Sequence, residues 1–403
     1  MRRHMLVIAV VATAATACTS SDNVGQVPAG PNQPAATPPS SAPAPGGLRV
    51  EEVTGGLDHG WDMGFLPDGT VLVSQRGGKL ALVSGGRAGA SVTEVAADLS
   101  DVHARGEGGL MGLAPHPDFA TSRRFVTCQA HAEGGRAVDV RLVNWRLSED
   151  GRSATRVGEL LTGLPVNPSG RHSGCRPTAG PDGALLVGTG DTARGNLSQD
   201  RGNLGGKVLR LDWNTGNPLP GNPFLNAANP RERLVYTFGH RNVQGVAVRP
   251  GGQQVFVAEH GPTENDEMNL LRAGGNYGWD PSRGGTVGGY DEDVPMTDLQ
   301  RFPNAVPAVW ESGKTTEAIC AVTFLSGPQW TDMDGAMVVT ALKGAKLMIF
   351  QLDQAGAVRS VTIPPEFTDR FGRLRAARTA PDGALYVTTS NGDNDKLLRI
   401  TRG

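Results

Sequence analysis

The stretch "GRHSGCRPTAGPDGALLVGTGD", residues 170–191, places His172 before a strand-like run and Asp191 just after it. A carboxylate is the natural orienter for an imidazole acting as general base, because it fixes the ring tautomer and raises its basicity. A histidine merely held in a loop would use the same residue types. In "FGHRNVQGVAVRP", residues 238–250, Arg241 and Asn242 open a β segment. The planar guanidinium fork of Arg241 suits carboxylates, whether on a ligand or on a neighbouring structural unit. Glu107 sits in the glycine run of "RGEGGLMGLAPHPDF", residues 105–119, which by itself reads as a bend with a solvated acid. The densest stretch is "AEHGPTENDEMNLLRAGGNYGWD", residues 258–280. Its acids Glu259, Glu264, Asp266 and Glu267, next to an irregular Gly-Pro backbone, offer the hard oxygen ligands that suit Ca²⁺. The alternating acidic spacing of an EF-hand is missing.

The elements that must position these groups come from a repeat. "LPDGTVLVSQRGGKLALV" (66–83), "HPDFATSRRFVTCQA" (116–130), "GPDGALLVGTG" (180–190), "RPGGQQVFVAEHG" (249–261), "TDMDGAMVVTALKGAKLMIFQL" (331–352) and "APDGALYVTTSNGDNDKLLRI" (380–400) share one plan. Asp-Gly, Gly-Gly or Pro-Asp supplies a tight turn, and β-rich residues follow. Several units continue into a second strand, as a meander does. No single unit can cover its apolar faces, but neighbours can, so the units stack radially. The pattern predicts an all-β chain, a six-bladed β-propeller of roughly sixty residues per blade over residues 48–403. Two sandwiches would explain the strands but not the recurring turn. In a propeller the long polar loops gather on two rims, and chemistry is expected there.

The 403 residues carry a net charge of −2 and no basic stripe, so a nucleic-acid partner is not expected. With 56 Gly and 28 Pro, the chain needs either disorder or many tight turns, and different segments use each. Residues 1–18 read as a signal peptide: "MRRHM" is basic, "LVIAVVATAATA" is apolar and small, and Cys18 follows directly. That ending is similar to a bacterial lipobox, although Ala15 stands where Leu is usual, and implies export with a lipid anchor on Cys18. Residues 19–47 are rich in Pro, Ala and Ser and read as a disordered tether. Cys128, Cys175 and Cys320 would then lie in an oxidising compartment, where one disulfide with one cysteine left over is expected, the pair left open.

Six ordered motifs, "GEGGLMG", "HSGCR" with "GPDGALLVGTGD", "GHRNVQG", "EHGPTENDEMN", "GGNYGWD" and "GRLRAARTAPDGALYV", resemble those of the soluble quinoprotein glucose/sorbosone dehydrogenases. The resemblance covers nearly all of residues 50–400. It implies a six-bladed propeller that uses pyrroloquinoline quinone (PQQ) and Ca²⁺ to oxidise a sugar, passing electrons to an external acceptor. By motif, His172 corresponds to the general base with Asp191 behind it. Arg241 corresponds to the arginine that stabilises the quinone oxygens, and Asn242 to its neighbour. Glu107 and His260 stand near cofactor and substrate, where glucose enzymes carry Gln. Lys343, Arg373 and Arg375 correspond to the set that binds the PQQ carboxylates. The carbonyls of Gly261 and Pro262 correspond to ligands of the catalytic Ca²⁺, and Glu267 with the Tyr277 carbonyl to a second, structural Ca²⁺ site.

The sequence departs from that pattern at the substrate wall. In "VWESGKTTEAICAVTF", residues 309–324, Glu311 and Lys314 fall where glucose enzymes carry covering aromatics, with only Trp310 nearby. Arg171 precedes the base where an Asp is usual. Two rival readings are a non-enzymatic calcium-stabilised propeller that binds a protein or carbohydrate, and a lactonase-type hydrolase. A binding module has no reason to retain a carboxylate clamp, and a hydrolase needs converging side-chain metal ligands instead.

Overall fold

In a computed structural model, residues 47–282, 289–368 and 370–403 are described. The signal peptide, Cys18 and almost all of the tether lie outside them. The described chain forms six four-stranded antiparallel sheets, the six-bladed β-propeller that the repeats imply. Blade 1 contains Gly60–Phe65, Val71–Gln75, Lys79–Val83 and Val92–Val95. Blade 2 contains Leu110–Pro115, Arg124–Glu133, Arg136–Leu147 and Ala154–Leu164. Blade 3 contains Arg176–Ala179, Leu185–Gly188, Lys207–Leu211 and Val235–Phe238. Blade 4 contains Val243–Val248, Val255–Glu259, Glu267–Leu270 and Trp310–Glu311, and blade 5 Ile319–Phe324, Met337–Ala341, Lys346–Leu352 and Val358–Thr362. Blade 6 joins Leu374–Thr379, Leu385–Thr389 and Asp395–Arg402 to Leu48–Leu57 from the other end of the propeller, which closes the ring.

Each recurring turn joins the first strand of a blade to its second, so the sequence unit starts one strand inside the structural one. The core lies between blades. Leu66, Leu72 and Leu80 of blade 1 meet Leu113, Phe125 and Trp145 of blade 2. Leu185 and Val187 of blade 3 face blade 2, whereas Leu186 between them faces blade 4. That is the strand period of two, applied to a sheet buried on both faces. Equivalent clusters join blades 4 and 5, 5 and 6, and 6 and 1. The inner strands approach closely near the channel. A Cβ on Gly245 would lie 2.4 Å from the Cys320 carbonyl oxygen of blade 5, so only glycine fits there. Cys128 of blade 2 and Cys175 at the start of blade 3 form the disulfide, and Cys320 is a buried free thiol.

Candidate active site

Antiparallel pairing decides where the chemistry collects. The start of each inner strand pairs with the far end of the second: Gly60 with Gln75, Arg176 with Gly188, Val243 with Glu259, Ile319 with Ala341, and Leu374 with Thr389. Residues just before an inner strand and just after a second strand therefore share one rim. Arg76, Glu107, His172, Asp191, Arg241, His260, Lys343 and Arg373 all occupy such positions.

His172 and Asp191 flank the first two strands of blade 3 and meet on this rim. His172 Nδ1 lies 2.7 Å from Asp191 Oδ1, and its Nε2 has no hydrogen-bond partner among the described residues. Asp191 is buried and accepts three further bonds, each 2.8 Å long, from Ala193 N, Trp279 Nε1 and Tyr290 Oη. Burial alone would raise its carboxyl pKa, but the His172 charge and hydrogen bond, Arg241 and Trp279 hold it below the ordinary value. Asp191 is thus an anion. Tyr290 Oη is also 3.1 Å from His172 Nδ1. The backbone is unusual here: His172, Thr192 and Ala193 have φ values of +49°, +54° and +55°. Left-handed backbone is costly for non-glycine residues and is kept here by the surrounding contacts. Gly190 allows the approach, since a Cβ there would lie 1.9 Å from the His172 carbonyl oxygen.

Arg241 forms the next part of the site. Its Nη1 donates to the His260 carbonyl at 2.9 Å and its Nη2 to Glu292 Oε1 at 2.6 Å. Its backbone N–H donates to Glu259 Oε2 at 3.0 Å. Glu259 is itself fixed by His240 Nδ1 at 2.5 Å, and His240 stacks on Tyr277 with centroids 4.4 Å apart. Arg241 Nε, Arg375 Nε and His260 Nε2 are buried without a partner among the described residues. Burial pushes the His260 imidazole down to about 4, so it is neutral at neutral pH.

Glu107 is bound by protein donors rather than by solvent. It accepts Asn242 Nδ2 at 2.9 Å, Gln244 Nε2 at 3.1 Å and His172 N at 3.3 Å. Burial raises its pKa, yet His172, His260 and the Asn242 bond bring it below the ordinary carboxyl value. The second residues of four inner strands converge in the channel below. Arg375 Nη1 donates to Gln244 Oε1 at 2.9 Å and lies 3.4 Å from Cys320 Sγ, while its guanidinium sits 5.0 Å from the Trp61 ring centroid.

Arg373 and Arg76 stand near Arg375. After burial, mutual repulsion with Arg375 is the next cause holding each below the ordinary arginine value. None of the three forms an ion pair among the described residues. Lys343 is exposed in the turn after the second strand of blade 5, and its side chain makes no hydrogen bond or ion pair with a described residue.

The acidic stretch forms a tight loop. Asp266 accepts Gly261 N at 2.8 Å, Thr316 Oγ1 at 2.8 Å and Glu317 N at 2.7 Å. The carbonyls of Gly261, Pro262 and Tyr277 accept no hydrogen bond from a described residue. Glu267 lies buried beside Glu259, with Asn269 Nδ2 donating to both, at 3.1 and 2.9 Å. Burial and the Glu259 charge push the Glu267 carboxyl up to about 8. Among the described residues no group of three or more His, Cys, Asp or Glu side chains forms a metal site.

The substrate wall differs from expectation at one point. Trp310 packs into the core between blades 4 and 5, edge-on to Phe350 with centroids 5.2 Å apart. Glu311 and Lys314 are exposed. Arg171 instead pairs with Glu292 at 3.1 Å. Trp279, Tyr290, Glu292 and Arg76 on the rim and Gln244 in the channel below complete the site, and none was singled out by sequence reasoning. Trp279 ends the "GGNYGWD" motif and Gln244 lies within "GHRNVQG", so motif membership could have flagged both. Tyr290 and Glu292 follow a glycine-rich stretch of sequence that carries no periodic signal.

Comparison with known proteins gives the family and the fold. The family model described as "Glucose / Sorbosone dehydrogenase" matches residues 57–399. The aldose sugar dehydrogenase YliI of Escherichia coli K12 is 29% identical over 360 residues, covering 89% of this chain and 94% of the relative. The structure of the soluble aldose sugar dehydrogenase from Escherichia coli in its apo-form has 29% identity and a TM-score of 0.77, covering 88% of this chain and 99% of that one. The PQQ-bound form of the aldose sugar dehydrogenase from Streptomyces coelicolor has 30% identity and a TM-score of 0.70, covering 89% of this chain and all of that one.

Proposed function

Because the chain belongs to the glucose/sorbosone dehydrogenase family and is an oxidoreductase, we propose that it oxidises an aldose to its lactone with PQQ and Ca²⁺, using His172 as the base. The observation that carries this reading is a base pair and an unpaired cationic cluster on one rim. His172 is held by Asp191, and Arg76, Arg373 and Arg375 have no carboxylate partner among the described residues.

The residues present fit the cofactor. Buried N–H groups of Arg241 and Arg375 without acceptors suit a polycarboxylate with quinone oxygens. Arg373 and Arg375 would hold its carboxylates, with Lys343 at the rim, and Arg241 with Asn242 would face its quinone oxygens. The open carbonyls of Gly261 and Pro262 suit a hard cation, and the buried pair Glu259 and Glu267, with the Tyr277 carbonyl, suits a second one. PQQ, when bound with Ca²⁺ as Lewis acid, supplies the acceptor for the hydride that leaves the anomeric carbon.

The chain's own part is positional and electrostatic. Asp191 accepts the Nδ1–H bond and so leaves Nε2 as the lone-pair nitrogen toward the sugar. His172 Nε2 takes the proton of the anomeric hydroxyl, and the charge that forms on the imidazole is balanced by buried Asp191. Arg241, charged and fixed through the His260 carbonyl and Glu259, stabilises negative charge developing opposite the base. Glu107 and His260 border the same space. Electrons then leave to an external acceptor. We read residues 1–18 as an export signal with lipidation at Cys18, the only membrane attachment proposed, giving a bacterial cell-surface or periplasmic protein; the Cys128–Cys175 disulfide suits such an oxidising compartment.

The test is reconstitution. PQQ and Ca²⁺ are added to the purified protein, and dye reduction is followed across a panel of aldoses. Cofactor-dependent dye reduction by at least one aldose is expected; PQQ binding without turnover on any of them overturns the aldose assignment, and no PQQ binding overturns the cofactor assignment.

A further inference from the structure

We propose that Glu292 is a displaceable counter-ion for Arg241, holding the guanidinium in the ligand-free protein and competing with an anionic ligand for it. The inference rests on the reading of this rim as the PQQ site. Of the four guanidinium groups of Arg76, Arg241, Arg373 and Arg375, only Arg241 has an ion-pair partner among the described residues. Its side chain is only 5% exposed, and a buried cation gains from a nearby anion.

The partner is unlike a structural one. The Glu292 side chain is 36% exposed, and only Oε1 is engaged, by Arg241 Nη2 at 2.6 Å and Arg171 Nη2 at 3.1 Å. Its Oε2 has no partner among the described residues. Arg241 does not need Glu292 to keep its place. Its Nη1 bond to the His260 carbonyl and its backbone bond to Glu259 come from blade 4 itself. Glu292 therefore supplies charge, not position.

The acid is nevertheless kept close. Two residues earlier, Tyr290 is buried and donates to Asp191 Oδ2, and its ring packs against Trp279 with centroids 6.2 Å apart. Rotation of the Glu292 side chain toward solvent can release Arg241 while Tyr290 stays on the base pair. A polycarboxylate that spans the Arg375 cluster and Arg241 meets one carboxylate already in place. It must displace that group and tolerates its repulsion at short range.

Glu292→Gln keeps size and hydrogen bonding and removes the charge. Calorimetric titration of PQQ into the full chain, with Ca²⁺ saturating, is expected to give binding about tenfold tighter in the variant, the scale of relieving one like-charge contact near a desolvated anion. A gain in affinity is a readout that structural damage does not produce. Equal or weaker binding in the variant overturns the counter-ion assignment and leaves the cofactor reading standing. If the wild type binds no PQQ, the cofactor reading falls; binding by Glu292→Gln alone then upholds the counter-ion role, and binding by neither overturns both.

Discussion

Asp191 Oδ1 stands 2.7 Å from His172 Nδ1, while Oδ2 of the same carboxylate is fixed by Trp279 and Tyr290 at 2.8 Å each. The carboxylate is therefore aimed by residues from another part of the chain, and the imidazole is aimed by the carboxylate. His172→Ala is expected to lower turnover by about 10²- to 10⁴-fold, the usual worth of a general base. PQQ affinity should change little, because Arg241 and the arginine cluster remain. Asp191→Asn should cost less, since Nε2 is still present but the ring loses its anionic partner. Rapid-mixing reduction of the loaded quinone by sugar measures both. A His172→Ala protein that reduces its quinone at near wild-type rate places the base elsewhere.

The cationic rim gives a graded expectation. Arg375 is buried with an unpaired Nε, so Arg375→Ala should weaken PQQ binding by about 2–3 kcal/mol, roughly 30- to 150-fold in Kd. Arg76→Ala should also weaken it, because Arg76 shares the field of Arg375. Lys343→Ala should cost least, as that side chain is exposed and free of contacts with the described residues. Calorimetry on the three variants checks the order, and a Lys343 effect larger than that of Arg375 reverses it.

The fold was legible because each blade repeats one turn, and a turn needs specific residues such as the Asp182-Gly183 and Asp382-Gly383 pairs. The role of Leu48–Leu57 in closing blade 6 was not legible, since strand pairing across nearly 350 residues leaves no local pattern. The site divides in the same way. His172 and Asp191 bracket one short motif, so their meeting could be suspected from spacing and is explained by the blade 3 hairpin. Tyr290 and Glu292 lie 99 and 51 residues from their partners Asp191 and Arg241, so no local pattern links them to the site. Arg76 sits in an ordinary hairpin turn, "QRGG", and only ring closure brings it beside blade 6.

Calcium should stabilise the fold as well as the site. Glu259 and Glu267 are two buried carboxylates linked through Asn269, an arrangement that requires a proton or a cation between them. Excess chelator should lower the melting temperature even without PQQ, because an ion bound only to the native state stabilises it by mass action. Glu267, held protonated near neutral pH by burial and Glu259, would give up that proton to a bound cation; Glu267→Gln cannot do so, and its melting temperature should respond much less to chelator. Thermal melts of both proteins with and without Ca²⁺ check this, and an unchanged wild-type melting temperature in chelator removes the structural-calcium assignment.

Asp62 should govern stability at acid pH. It is fully buried in the channel, 2.7 Å from Arg176 Nη1 and 3.0 Å from Arg378 Nη2, and it also accepts Leu113 N at 3.1 Å. Burial works against its charge, but Arg176 and Arg378 outweigh burial and hold the carboxyl below its ordinary value. With the folded pKa depressed, the unfolded chain binds the proton first as pH falls. The contribution is then complete above the ordinary carboxyl range and is lost below about pH 4, as pH passes through the folded value. Asp62→Asn leaves Arg176, itself only 2% exposed, without its anion and should cost about 3–5 kcal/mol at neutral pH. Urea unfolding at a series of pH values is the measurement. The wild type should lose stability steeply in acid and the variant less so; equal slopes with equal midpoints at neutral pH would show that Asp62 does not carry this charge network.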